Sequence, residues 1–337
     1  MPRQARIDAP GALHHIIIRG IERKAIFKDD ADRKNFLKRL SLIISETDTI
    51  CYAWVLMENH VHLLLKTGLG PIATVMRRLL TGYAVSFNRR HRRHGHLFQN
   101  RYKSFLCEEE LYLMELVRYI HLNPLRAKAV KDLKELKSYR WCGHSVLMGK
   151  TEALFQDTEF ILKLFGQSLR QARRAYENYV AKGVKQGRRP DLVGGGLLRS
   201  VGGWAKLRGF SDIGVRIKGD ERILGSSDFV ERVLKQADEQ LEEKYRLQVK
   251  GISLAVLVDK VAHHYKIDPE DLKSASKERV ITNARRALCY IAVRKLGYKC
   301  TDISKTVGID ATTASRAARL GSKLPEIEMI QKQILDN

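Results

Sequence analysis

The sequence predicts an α+β fold: a ferredoxin-like split β-α-β arrangement with an antiparallel sheet, followed by a mostly α-helical C-terminal region with a helix-turn-helix. Three observations predict it. From Leu13 to Asn123, short β-branched runs alternate with longer runs whose apolar residues fall at helical spacing. Those runs follow the order β-α-β-β-α-β, with one further helix. Beyond Ile252 the spacing is helical throughout, and it closes on a short helix, a glycine and a second, polar helix.

The elements follow in order. Leu13 to Gly20 is β-branched and ends in glycine, which predicts a strand. Asp29 to Asp32 opens a helix, because acidic side chains favour the positive end of the helix dipole, and Phe36, Leu37, Leu40, Ile43 and Ile44 form its apolar face. Tyr52 to Met57 and His60 to Lys66 are strands joined at Glu58-Asn59, a connection short enough for a hairpin. Pro71 suits the first turn of a helix running through Val75, Leu79, Ala84 and Phe87 to the basic end Arg89 to Arg93. Leu97 to Leu106 is a fourth strand, and Glu108 to Glu110 opens the helix that carries Tyr119. This order places an antiparallel sheet under helices on one face, with the histidine strand inside the sheet.

Leu169 to Ala181 reads as a helix, and Asp228 to Tyr245 as a charged one. Between them, Gly183 to Gly225 is rich in glycine and arginine but lacks the glycine-lysine spacing of a phosphate loop, so it reads as a linker or hinge. Leu254, Leu257, Val258 and Val261 share one helix face, and Val280 to Leu296 is a longer helix. Thr301 to Arg319 forms the helix-turn-helix, with Gly308 in the turn and Asp310 as the polar N-cap. Its second helix offers Thr312, Thr313, Ser315, Arg316 and Arg319 to a major groove. The expected division is a catalytic domain over 1–145, a basic glycine-rich connection over 146–250 and a DNA-binding domain over 251–325.

The 337 residues carry 61 Lys and Arg against 38 Asp and Glu, a formal net charge of +23. Such a charge calls for a polyanionic partner, because each phosphate neutralised releases counterions. Membrane surface ranks below nucleic acid, since no apolar run reaches the length of about 18–20 residues that a span needs. The five cysteines form no Cys-x-x-Cys pair, which argues against a zinc ribbon or a disulfide framework. With no signal peptide apparent, a reducing cytoplasm, on the nucleoid, is the expected location.

The chemistry gathers at two stretches. In Met57 to Leu65, His60 and His62 flank Val61 on a strand, so both imidazoles point to one face and form half of a metal site. In Arg118 to Pro124, Tyr119 and Asn123 are four apart and share a helix face. Tyr119 is a covalent nucleophile suited to a phosphodiester, and Asn123 can reach a metal that Tyr119 faces. Pro124 disfavours a helical Asn123, which makes Asn123 the expected last helical residue. Each piece alone is commonplace: His-x-His is more often core than ligand, a helical tyrosine is usually packing, and Asn-Pro is normally a helix stop. Their conjunction in a strongly basic chain points to DNA chemistry. Arg77, Arg78, Arg89, Arg90, Arg92, Arg93, Arg101 and Lys103 are the expected phosphate contacts, and His96, Phe98 and Tyr102 are candidates for stacking on bases, with core packing the equal reading for Phe98.

Three ordered stretches, Leu56-Met57-Glu58-Asn59-His60-Val61-His62, Gly95 to Ser104 and Arg118 to Ala127, resemble the single-tyrosine HUH transposases, in particular the IS200-like group and the REP-associated tyrosine transposases. The resemblance covers roughly residues 1–145. It implies His60 and His62 as the metal pair, Tyr119 as nucleophile and Asn123 as third ligand. The reaction it implies is cleavage and rejoining of single-stranded DNA near a hairpin with Mg2+ or Mn2+, leaving a 5′-phosphotyrosine and a free 3′-hydroxyl, in a monomer or homodimer. Glu58 departs from the family's usual proline and is read as a turn residue. The stretch from Ile252 to Leu320 is similar, more loosely, to the C-terminal domain of the replication initiator DnaA, with Asp310-Ala311-Thr312-Thr313 where that family carries Asp-His-Thr-Thr. Duplex binding is therefore expected there, without the initiator's own sequence preference. The competing readings are a non-enzymatic DNA-binding regulator derived from a transposase, a metal hydrolase using activated water, and an enzyme acting on RNA.

Overall fold

The computed structural model describes residues 8, 11–68, 71–187, 189, 192, 220, 222–226, 228–236 and 252–336. They divide into two compact units, Met1–Lys235 and Gln236–Asn337.

The first unit is α+β. Strands β1 (Leu13–Arg19), β2 (Ile50–Leu56), β3 (His60–Lys66), β4 (Lys103–Cys107) and β5 (Ile223–Leu224) form one sheet in the order β2-β3-β1-β4-β5. The first four strands pair antiparallel in the expected split order, and β5 adds to β4 in parallel, so the sheet is mixed. Helix α1 (Asp30–Thr47) starts where expected, because the Asp29 side chain accepts the Asp32 amide. Helix α2 (Ile72–Arg90) follows Pro71, and α3 (Glu109–His121) carries Tyr119.

The expectation of helices on one face alone is corrected. Ile16, Ile18, Trp54, Leu56, Val61, Leu63 and Leu65 pack with α1 and α2 on one side of the sheet. On the other side, Leu13, Ile17, Ala53, Val55, Leu64 and Phe105 pack with α3 and with α8 (Leu169–Gly183). Strands with apolar residues on both faces need two covers, and the near-continuous apolar run of β2 already has that character. The fourth strand is also shorter than Leu97 to Leu106. Phe98 makes a single bridge to Gly20, then Asn100 takes a left-handed conformation (φ 59°) and turns the chain before β4 begins.

Asn123 is not the end of α3. Leu122 closes that helix, and Asn123 begins a new short one, α4 (Asn123–Arg126). Proline lacks an amide hydrogen but is at home in a first turn, so Pro124 starts a helix here instead of stopping one. Helices α5 (Leu133–Ser138), α6 (Gly143–Leu147) and α7 (Thr158–Lys163) follow. Cys142, Leu147, Ile161, Ala172, Tyr176 and Val180 share a core with α3, so the compact unit runs on beyond residue 145. The expected charged helix is seen over 228–236, and its remainder lies outside the described residues, as do Arg188, Pro190, Gly194 to Gly196, Gly202 and Gly203.

The second unit is helical: α9 (Leu254–Tyr265), α10 (Arg279–Tyr290), α11 (Cys300–Val307), α12 (Ala311–Gly321) and α13 (Ile327–Asp336). The long helix expected from Val280 to Leu296 continues past Tyr290 in a wider turn over Ile291–Lys295. Gly308 ends α11 in a left-handed conformation (φ 71°), as the turn of a helix-turn-helix requires. Asp310 then caps α12, its side chain accepting the amides of Thr312 and Thr313 at 2.9 Å each. No helix among the described residues is long and apolar enough to cross a membrane.

Candidate active site

The site is assembled by strand register. Ile17 on β1 pairs with His62 on β3, and Arg19 pairs with His60. Side chains alternate along a strand, so His15, Ile17, Arg19, His60 and His62 share the face that α3 covers. Lys103 pairs with Ile17 from the other side and stands at the same end of the sheet. The His60 and His62 rings lie with centroids 5.3 Å apart and planes at 80°. From α3 the Tyr119 ring meets His62 edge-on at 5.9 Å and His15 at the same distance.

Both histidines are held neutral. Burial first, and then the charge of Arg19, pushes the His60 imidazole down to about 4. Burial pushes His62 well below its ordinary value, helped by His15, His60 and Arg19. Neutral imidazoles are the form that ligates metal. The ring of His60 is also oriented. Asn59 donates from Nδ2 to the Arg23 carbonyl at 2.9 Å, which turns its Oδ1 toward His60 Nδ1 at 2.7 Å. That oxygen only accepts, so His60 Nδ1 carries the hydrogen and Nε2 keeps its lone pair.

Asn123 donates from Nδ2 to the Tyr119 carbonyl at 2.9 Å and to the Ile120 carbonyl at 3.3 Å. It thus caps the helix that carries the tyrosine. With both amide hydrogens directed at the backbone, the carboxamide oxygen is the atom left for a metal. Among the described residues no cluster of three His, Cys, Asp or Glu side chains suits a metal. By type, two neutral imidazoles and an amide oxygen are donors that suit a divalent cation with positions left for water or phosphate.

Two neighbours were not anticipated from the sequence. Arg126, one short turn beyond Asn123, sets its guanidinium 5.2 Å from the centre of the Tyr119 ring. Burial lowers its pKa, Tyr119 opposes the shift, and the charges of Arg189 and Arg118 add to it. It still carries its charge, as arginine does at any ordinary pH. Arg19 is exposed beside His60. Only strand pairing brings Arg19 there, although Arg126 lies inside a stretch already singled out.

The expected phosphate contacts fall into two groups. Arg77, Arg89, Arg92, Arg101 and Lys103 are exposed. Arg90 is engaged by Asp29 and Asp32 at 2.6 Å each, and Arg78 pairs with Glu46. Arg93 holds its own loop, donating to the His96 carbonyl at 2.6 Å. Helix α2 lies across the sheet from α3, so Arg77, Arg78 and Arg89 do not share a face with Tyr119. Phe98 and Tyr102 pack against the α1–α2 core, whereas His96 is exposed. Glu58 is a turn residue, its carbonyl accepting the amides of Ile26 and Phe27. In the second unit Thr312, Thr313, Ser315 and Arg316 are exposed and Arg319 is half-buried. The hydroxyls of Thr312 and Thr313 donate to Asp310, which leaves Ser315, Arg316 and Arg319 as the donors of α12.

Residues 10–123 match the family model described as "Transposase IS200 like", and residues 255–320 match "Bacterial dnaA protein helix-turn-helix". A solved structure described as "Structure of the REP associates tyrosine transposase bound to a REP hairpin" is similar over 47% of this chain and 98% of that one, at 13% identity and a TM-score of 0.37. No curated protein matches the chain.

Proposed function

We propose that this chain is a single-tyrosine DNA transposase that cleaves and rejoins single-stranded or hairpin DNA through Tyr119. The observation that carries this reading is the packing of the Tyr119 ring against two buried histidine rings, His15 and His62, at 5.9 Å each, on the covered face of the two inner strands β1 and β3.

His60 and His62, with the amide oxygen of Asn123, would hold the Mg2+ or Mn2+. A bound divalent cation supplies an electrophile for a phosphate oxygen. Arg126 keeps a positive charge against the Tyr119 ring, where it would stabilise negative charge developing during attack. The phenolate oxygen bonds to phosphorus, the bond from phosphorus to the 3′ oxygen breaks, and that oxygen takes up a proton and leaves as a 3′-hydroxyl. A 5′-phosphotyrosine remains. Attack by a 3′-hydroxyl reverses these changes and frees Tyr119, so cutting and joining use one bond type. Arg19 and Lys103 lie on the face and at the end where His60 lies, and with Arg101 close by in sequence they would hold flanking phosphates.

The second unit is proposed to bind duplex DNA through α12, with Ser315, Arg316 and Arg319 toward the groove. Tethering the catalytic unit near its target raises the local concentration of substrate.

The test is incubation of the purified protein with labelled hairpin-containing single-stranded DNA and Mn2+, followed by a denaturing gel. A labelled band at protein mass that needs metal and is lost in Tyr119→Phe is expected. Cleavage that persists in Tyr119→Phe removes the nucleophile from the reading. Cleavage without any covalent band indicates activated water. Tight, salt-sensitive binding without cleavage across several hairpins indicates a regulator.

A further inference from the structure

His15 was not among the candidate ligands, yet it is fully buried and joined to one of them. On β1 it pairs with Leu64, which places it diagonally across from His62 on the same face. His15 Nε2 lies 3.0 Å from His62 Nδ1. The two rings are nearly coplanar, at 22° with centroids 5.3 Å apart. A short nitrogen–nitrogen contact between near-coplanar imidazoles is an edge-to-edge hydrogen bond, with one ring donating and the other accepting.

The direction of that bond is set from the far side. His15 Nδ1 lies 3.3 Å from the Leu192 carbonyl. A carbonyl oxygen only accepts, so His15 Nδ1 carries the hydrogen. A neutral imidazole has one such hydrogen, so His15 Nε2 is an acceptor and His62 Nδ1 must donate to it. His62 Nε2 is then a lone pair. The outcome matches His60, where Asn59 fixes the same tautomer by a different route. Leu192 is itself anchored: it is buried in the α3–α8 core, and nearby Arg189 pairs with Glu115 of α3 at 2.9 Å.

We infer that His15 is a positioning residue for His62, relaying the polarity of the Leu192 carbonyl so that the Nε2 lone pair of His62 is presented to the site. The inference rests on the reading of His60 and His62 as a metal pair. It also gives a role to the chain that follows α8. The carbonyl that orients the relay lies well beyond residue 123, where the transposase match ends.

The test uses the full-length protein and two readouts. The first is metal-free: long-range proton–nitrogen correlation of the histidine rings, with His62 assigned by its loss in His62→Ala. The wild type is expected to show the Nδ1–H tautomer at His62, and His15→Phe is expected to shift it toward Nε2–H. The second is Mn2+ binding, followed by loss of the free-ion paramagnetic resonance signal. His15→Phe keeps a ring against Tyr119 and Phe105 but removes the acceptor, and it should weaken binding by about 10–100-fold. His15→Gln retains an oxygen that can accept from His62 and should restore most of the affinity. An Nε2–H tautomer at His62 in the wild type overturns the inference without any substitution at His15. So does a His15→Phe variant with unchanged tautomer and affinity. Mn2+ binding that His62→Ala does not weaken instead overturns the metal-pair reading, and the tautomer measurement still decides what His15 does.

Discussion

Tyr119 has two kinds of neighbour, and they act on it differently. The histidines His15 and His62 are buried, and His62 is held neutral, whereas Arg126 brings a full positive charge to within 5.2 Å of the ring centre. A cation at that range attracts negative charge that develops beside the ring. Arg126→Gln is therefore expected to slow adduct formation by about tenfold or more while leaving the fold intact. An unchanged rate would show that Arg126 only packs against the ring. The buried histidines carry a second consequence. His60 and His144 are pushed down to about 4, and His62 and His121 lie well below their ordinary value, burial being the first cause for each. The folded unit therefore refuses protons that the unfolded chain accepts below about pH 6.5. This contribution is complete above that pH and is lost as pH falls toward 4. The melting temperature should decline between pH 6.5 and about 5, before most carboxylates titrate. A flat profile in that window would contradict the neutral, buried state of these rings.

Helix α3 is where packing and chemistry meet. Leu116, Val117 and Ile120 are buried against β2 and α8, and their spacing leaves Tyr119 turned toward the histidines. The helix is held in its last turn, beside Tyr119, by Arg118, which donates to Glu115 at 2.5 Å and lies 4.2 Å over the Tyr179 ring of α8. Loss of one core side chain should thus affect more than local stability. Leu116→Ala is expected to destabilise the unit by about 2–5 kcal/mol in denaturant unfolding, because the surrounding side chains close the cavity only in part. A change below about 1 kcal/mol would mean that α3 repacks freely and does not hold Tyr119 in one place.

The charge of +23 acts over the molecule, but its members are not equivalent. Arg89, Arg92 and Arg101 are exposed, while Arg90 is already neutralised by Asp29 and Asp32. Each cation that meets a phosphate contributes about one unit to the slope of log affinity against log salt. Arg101→Ala is expected to reduce that slope by about one, and Arg90→Ala to leave it unchanged, in binding titrations on hairpin DNA across a salt series. Equal effects from the two would show that ion pairing within the protein does not decide which arginines meet DNA.

Much of this was legible in one dimension. Strands β1 and β3, helices α1 and α3, the Glu58-Asn59 turn and the Asp310 cap all rest on local periodicity or on a side chain reaching its own backbone, which neighbouring residues specify. The placement of His60 and His62 on one face follows from the strand period alone. Other features depend on partners far along the chain, and local rules are silent on them. The second cover of the sheet comes from α3 and α8, and the fifth strand from a segment beyond residue 220. Pro124 opens a helix rather than ending one, and it is buried there. The engagement of Arg90 joins α1 to the end of α2, and the relay through His15 joins β1, β3 and Leu192. Sequence spacing says which side chains share a face, but which faces meet, and which lone pair or charge is left over when they do, is decided only when distant segments pack.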